Sequence, residues 1–122
     1  IAWLRFYRAD IDRRISTGEI VFVDVTAVWC LTCKANKALV LDRDPVAALL
    51  GSPGVVAMQA DWTRPDEAIS RYLEGFGRFG IPFNVVYGPG APEGIVLPEL
   101  LTADAVMDAL DRAGTREFSR TE

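Results

Sequence analysis

Apolar positions change period several times along the chain, and each change marks an element. Ile11 and Ile15 stand four apart among Asp10, Asp12, Arg13 and Arg14, the spacing of a short amphipathic helix that Gly18 closes at its C′ position. Residues 20–27 are β-branched and aromatic with almost no alternation, which predicts a central strand covered on both faces. That strand carries one carboxylate, Asp24. Good helix formers follow from Ala35 to Leu41, and Asp44 with Pro45 reads as the N-cap and first residue of a second short helix over 45–50. Glycine and proline at positions 51, 53 and 54 end it, and residues 55–60 form the next buried, strand-like run.

Thr63 through Asp66 resembles a capping box, with Ile69, Tyr72, Leu73 and Phe76 at helical spacing behind it as far as Gly77. Gly80-Ile81-Pro82 leads into a strand over 83–87. The Gly/Pro stretch 88–94 then predicts a hairpin with a seven-residue loop before a last strand over 95–97. Thr102 can cap a final helix in which Val106, Met107, Leu110 and Ala113 share a face, with Gly114 at its end. One helix followed by β α β α β β α is an α/β order. The early βα units require right-handed crossovers and parallel strands, and the closing hairpin adds antiparallel ones, so a central mixed sheet with helices on both faces is expected.

Composition narrows the chemistry. The 122 residues suffice for a single domain, assigned to residues 1–114, with a charged tail over 115–122 that has little to bury and is expected to be disordered. With 13 Lys plus Arg against 17 Asp plus Glu, net −4, the chain lacks the cationic surface a nucleic-acid partner needs. Its longest apolar stretch, residues 20–31, is interrupted by Asp24 and too short to span a bilayer, and no signal peptide opens the sequence, so a soluble piece is expected. No histidine is present, which excludes Ser-His-Asp and Cys-His catalysis. The only two cysteines, Cys30 and Cys33, make half a zinc site at best, so neither metal nor cofactor is expected. Two cysteines placed at random would fall at this spacing only about 2% of the time. They lie at a strand-to-helix junction, and the spacing reads as a redox pair, against the alternative of a static disulfide or two inert core thiols.

The strand bearing Asp24, the run Trp29-Cys30-Leu31-Thr32-Cys33-Lys34 and the tripeptide Gly80-Ile81-Pro82 resemble the thioredoxin superfamily over nearly the whole chain. Residues 22–37 with Ala60-Asp61-Trp62-Thr63 are most similar to the C-terminal periplasmic domain of DsbD/ScsB-type thiol:disulfide interchange proteins. The resemblance implies a thioredoxin fold and a protein-disulfide reductase that relays electrons through a redox-active Cys30–Cys33 disulfide. It also implies a membrane-embedded dithiol as donor and a periplasmic thioredoxin-like or immunoglobulin-like domain as acceptor. On that reading the chain is an excised, monomeric, periplasmic domain of a membrane protein. A general thioredoxin-like reductase without a membrane partner and a redox-inactive binding module of the same fold remain the other readings.

Roles follow from chemistry and from the resemblance together. A thiolate at a helix N-terminus is favoured by unpaired N–H groups, which lowers a thiol pKa from about 8.5 into the range of roughly 3.5–7.5. Cys30 is therefore expected to be the exposed, attacking thiol, and Cys33, one turn on, the one that resolves the mixed disulfide. A carboxylate inside an apolar strand is costly, so Asp24 is expected to be buried with a raised pKa, and the resemblance makes it the proton acceptor of the resolving thiol, through water; a carboxylate that points to solvent or caps a turn is the other reading. It also implies a cis Ile81–Pro82 peptide facing the dithiol, leaving the Ile81 backbone free to pair with an extended partner segment, where an ordinary trans proline at a strand start is the alternative. Trp29 is read as a wall beside Cys30 that shapes partner contact, and Trp3 and Trp62 as packing residues. Two departures stand out: Val28 where the superfamily often has an acid, and Lys37 where the DsbD-like domain has one four residues after the second cysteine. Lys37 either favours an ionised Asp24 or is a solvated helix-face lysine.

Overall fold

The computed structural model describes residues 1–114; the charged tail over 115–122 lies outside the described residues. In chain order the elements are β1 (Leu4–Arg5), α1 (Arg8–Ser16), β2 (Ile20–Thr26), α2 (Leu31–Asn36), α3 (Val46–Leu50), β3 (Val55–Asp61), α4 (Glu67–Gly75), β4 (Phe83–Gly88), β5 (Ala91–Val96) and α5 (Ala103–Gly114). Between α2 and α3 the helix widens into one π-helical turn, Lys37–Leu41, closed by Asp42 N–H donating to the Lys37 carbonyl at 2.8 Å.

The strands form one five-stranded sheet in the order β1-β3-β2-β4-β5. β3 runs parallel to β1 and β2, whereas β4 is antiparallel to β2 and β5. This is the mixed sheet expected from the element order. β2 is central, and all its residues from Val21 to Val25 are buried because helices cover both faces. Successive side chains alternate between the faces. Val21, Val23 and Val25 pack with Ile11 of α1 and with Ile69, Tyr72 and Leu73 of α4. Phe22 packs on the other side with Val40 and Leu41, Leu50 of α3, and Val106 and Leu110 of α5. Asp24 shares that second face by parity.

Several local expectations are corrected. β1 is not visible in the hydrophobic pattern because it is a two-residue, exposed edge strand. The seven-residue hairpin loop is instead a two-residue turn, Pro89-Gly90, since Gly88 already pairs with Ala91. Pro92 and Gly94 then lie within β5, which an edge strand tolerates because its outer side needs no N–H for the ladder. Gly94 has φ +95°, and a Cβ there would press on Val85 and Tyr87. At α4 the cap is Asp66, whose side chain accepts from Ile69 N–H at 3.0 Å, and not Thr63. Asp44 does serve α3, accepting from Ala48 N–H at 3.1 Å, but Pro45 precedes the first helical residue. Gly18 (φ +89°) closes α1 as the sequence predicts, its N–H donating to the Ile15 carbonyl at 2.9 Å. The capping expectation for α5 also holds, with Ala105 N–H donating to Thr102 Oγ1 at 3.1 Å.

Candidate active site

β2 ends at Thr26, and the chain crosses Ala27, Val28 and Trp29 before α2 begins, so the dithiol lies at the carboxyl edge of the central strand. Cys30 and Cys33 are joined in a disulfide. Cys30 is itself the N-cap of α2. Its extended backbone lets Sγ accept the otherwise unpaired Cys33 N–H at 3.1 Å, while its carbonyl takes the Lys34 N–H. An N–H aimed at Sγ stabilises negative charge there once the disulfide is opened. The exposure expected for Cys30 is not observed. Cys30 is 6% exposed and Cys33 4%, because they form a small apolar cluster with Ala27 against which Ile81 packs.

Exposed apolar side chains flank the two cysteines and the Ile81–Pro82 segment in the chain and form an apolar rim. Val28 and Trp29 are 62% and 57% exposed, and Leu31 and Phe79 are each 79% exposed. Trp29 belongs to this rim, and its Nε1 donates to the Thr63 carbonyl at 3.0 Å. Thr63 Oγ1 also accepts the Val28 N–H at 3.0 Å and donates to Asp61 Oδ1. The loop after β3 thus clamps the loop that carries the first cysteine. Sequence reasoning missed this role because a Thr three residues before an Asp reads as a helix cap.

Ile81 and Pro82 precede β4 immediately, and the Ile81–Pro82 peptide is cis, as is Asp44–Pro45. Pro82 is buried and Ile81 half-buried against the dithiol. Behind Cys33, buried Asn36 anchors α2 to the segment before α5. Its Nδ2 donates to the Glu99 carbonyl at 2.8 Å and its Oδ1 accepts from Leu101 N–H at 3.0 Å. A lone Asn among helix formers was the only signal for it.

Asp24 is 5% exposed, which excludes the solvent-facing alternative. Asn84 stands opposite it on β4 and donates Nδ2–H to Asp24 Oδ1 at 2.8 Å, and Gln59 is its partner in register on β3. Both were hidden from sequence reasoning because they depend on strand register. Burial pushes the Asp24 carboxyl up from 3.8 to about 6, and Asn84, the positive charge of Lys37 and Gln59, in that order, pull it partly back. Lys37, one turn beyond Cys33, is held over the Trp3 ring at 5.0 Å and beside Asp42 Oδ1 at 3.4 Å. It is partly solvated and still acts on Asp24. Trp3 also packs edge-on to Phe22, and Trp62 packs on the α1/α4 side of the core.

Residues 2–89 match the family model described as thioredoxin-like. The chain belongs to the thioredoxin-like family. Over 102 residues it is 31% identical to the thiol:disulfide interchange protein DsbD 1 of Pseudomonas aeruginosa, covering 82% of this chain and 17% of that protein's length. The DsbD C-terminal domain of Neisseria meningitidis in its oxidised form superposes with a TM-score of 0.71 at 21% identity, covering 92% of this chain and 99% of that one. A thioredoxin from Thermus thermophilus gives 0.69 at 18% identity, covering 100% and 93%. These likenesses establish the thioredoxin fold. Among the described residues of this thioredoxin-like domain, no three His, Cys, Asp or Glu side chains come together to hold a metal ion, and no helix is long and apolar enough to cross a membrane.

Proposed function

We propose that this thioredoxin-like domain is a thiol:disulfide oxidoreductase that carries two electrons at a time through Cys30 and Cys33. The observation that carries the reading is the Cys30–Cys33 disulfide whose first sulfur caps α2 and receives a backbone N–H. In the reduced state the Cys30 thiolate attacks a partner disulfide. One partner sulfur leaves as a thiolate, and the other becomes bonded to Cys30. Cys33 then gives its proton to the Asp24 carboxylate, and the new thiolate attacks Cys30 Sγ. The bond between Cys30 and the partner breaks, the partner leaves with both sulfurs reduced, and the Cys30–Cys33 disulfide is restored. A dithiol donor recharges the domain by the same steps in reverse.

The exposed apolar rim of Val28, Trp29, Leu31 and Phe79, with Ile81 at its inner edge, is the surface on which a protein partner docks. Similarity to DsbD supports a membrane-embedded dithiol as donor, a periplasmic domain as acceptor and a periplasmic location. The domain should accelerate insulin reduction by dithiothreitol, and Cys30→Ser should abolish the acceleration; a wild-type domain without effect would overturn the reading. Membrane-spanning helices encoded upstream in the parent gene would tie it to a membrane donor, and their absence would leave a general reductase.

A further inference from the structure

Asn84 is 1% exposed and faces Asp24 across the β2–β4 ladder. Only half of its amide is used. Nδ2 donates to Asp24 Oδ1 at 2.8 Å, while the buried Oδ1 has no hydrogen-bond partner among the described residues. An empty buried acceptor is costly, and here it belongs to an amide already bonded to a carboxyl that must gain and lose a proton in every turnover.

We propose that Asn84 is a positioning residue for the exchange reaction, an amide that serves Asp24 in both of its protonation states. This rests on the reading of Asp24 as the proton acceptor of Cys33. Towards the carboxylate, Nδ2–H is the donor, as observed. When Asp24 has taken the Cys33 proton, it presents an O–H and needs an acceptor in place of a donor. A half-turn of the Asn84 amide about its last torsion, which is broad and two-fold, brings Oδ1 to meet it. The amide itself neither gains nor loses a proton; the proton passes from Cys33 to Asp24 and on to solvent. An Arg or Lys at this place would hold the carboxylate charged and make it a poor base. A Leu would leave desolvation unopposed on that side and keep Asp24 protonated near neutral pH.

The other groups facing Asp24 are Gln59 from β3 and Lys37 from the π-helical turn; the inward residues of α5, Val106, Ala109, Leu110 and Ala113, are apolar. Lys37 can favour only the carboxylate. Gln59 is half-buried and can satisfy its remaining groups with water, whereas Asn84 is cut off from bulk solvent.

Side-chain NMR of the intact domain tests this together with the pH profile of mixed-disulfide release. In the wild type the Asn84 side-chain amide resonances should move with the same midpoint as the Asp24 carboxyl. Asn84→Leu should raise the Asp24 midpoint by about one pH unit, and the release profile should move up with it. Asn84→Ala, which introduces no bulk, should give the same direction and serves if the Leu variant does not fold. Amide resonances that stay flat through the Asp24 titration, or a midpoint that does not move in either variant, overturn the proposal. If Asp24→Asn alters the release profile and the Asn84 variants do not, Asp24 stands as acceptor and the role of Asn84 is overturned. If Asp24→Asn leaves the profile unchanged, the acceptor reading itself fails and the role of Asn84 falls with it.

Discussion

Cys33→Ala should stop turnover while sparing attack on the partner, so that the domain accumulates as a mixed disulfide through Cys30. The resolving thiol lies three residues away, at the first turn of the same helix, and its sulfur is already within bonding reach of Cys30. Intramolecular groups so placed have effective concentrations far above any external thiol, so catalytic insulin reduction should fall by about a hundredfold or more. Mass spectrometry of the trapped species should show one partner per domain, attached at Cys30. Unimpaired turnover would mean that Cys33 does not resolve.

Asp24→Asn should make the fold more stable and the exchange slower, with both effects depending on pH. Burial raises the carboxyl from 3.8 to about 6, so the folded state binds the proton more tightly than the unfolded state. Wild-type stability therefore falls as pH rises from about 4 to about 6 and carries the full penalty above that. A neutral side chain removes the penalty. The Asp24→Asn variant should gain about 1–3 kcal/mol at pH 8 and nothing below about pH 4, read from chemical-denaturation midpoints. In the wild type, release of the mixed disulfide should slow as pH drops through about 6, where Asp24 is already protonated and cannot accept from Cys33. The variant should be slow throughout. A loss of several kcal/mol in stability, or unchanged exchange between pH 6 and 8, would make Asp24 a structural residue.

Local patterns made much of the fold legible. The unbroken apolar run around Asp24 marked the central strand, because a strand buried on both faces has no polar side to show. Gly18 and Thr102 announced helix ends whose hydrogen bonds are local. What depends on distant segments was not legible. Asn84 lies 60 residues from Asp24 and meets it only through the β2–β4 register, and Thr63 reaches Val28 across 35 residues of chain. The hairpin turn was misplaced because Pro92 and Gly94 look like loop residues unless the strand is known to be an edge. Cys30 was expected to be open to solvent because position in a motif says nothing of what Ala27 and Ile81 lay over it.

The roles of the two sulfurs are tested most directly by position-resolved alkylation of the reduced domain at neutral pH, each cysteine followed by peptide mass spectrometry. Cys30, whose Sγ caps α2 and accepts the Cys33 N–H, should be labelled well before Cys33, and the difference should narrow only as pH approaches the ordinary thiol range near 8.5. Faster labelling of Cys33, or equal rates at neutral pH, would contradict the assignment of Cys30 as the attacking thiol.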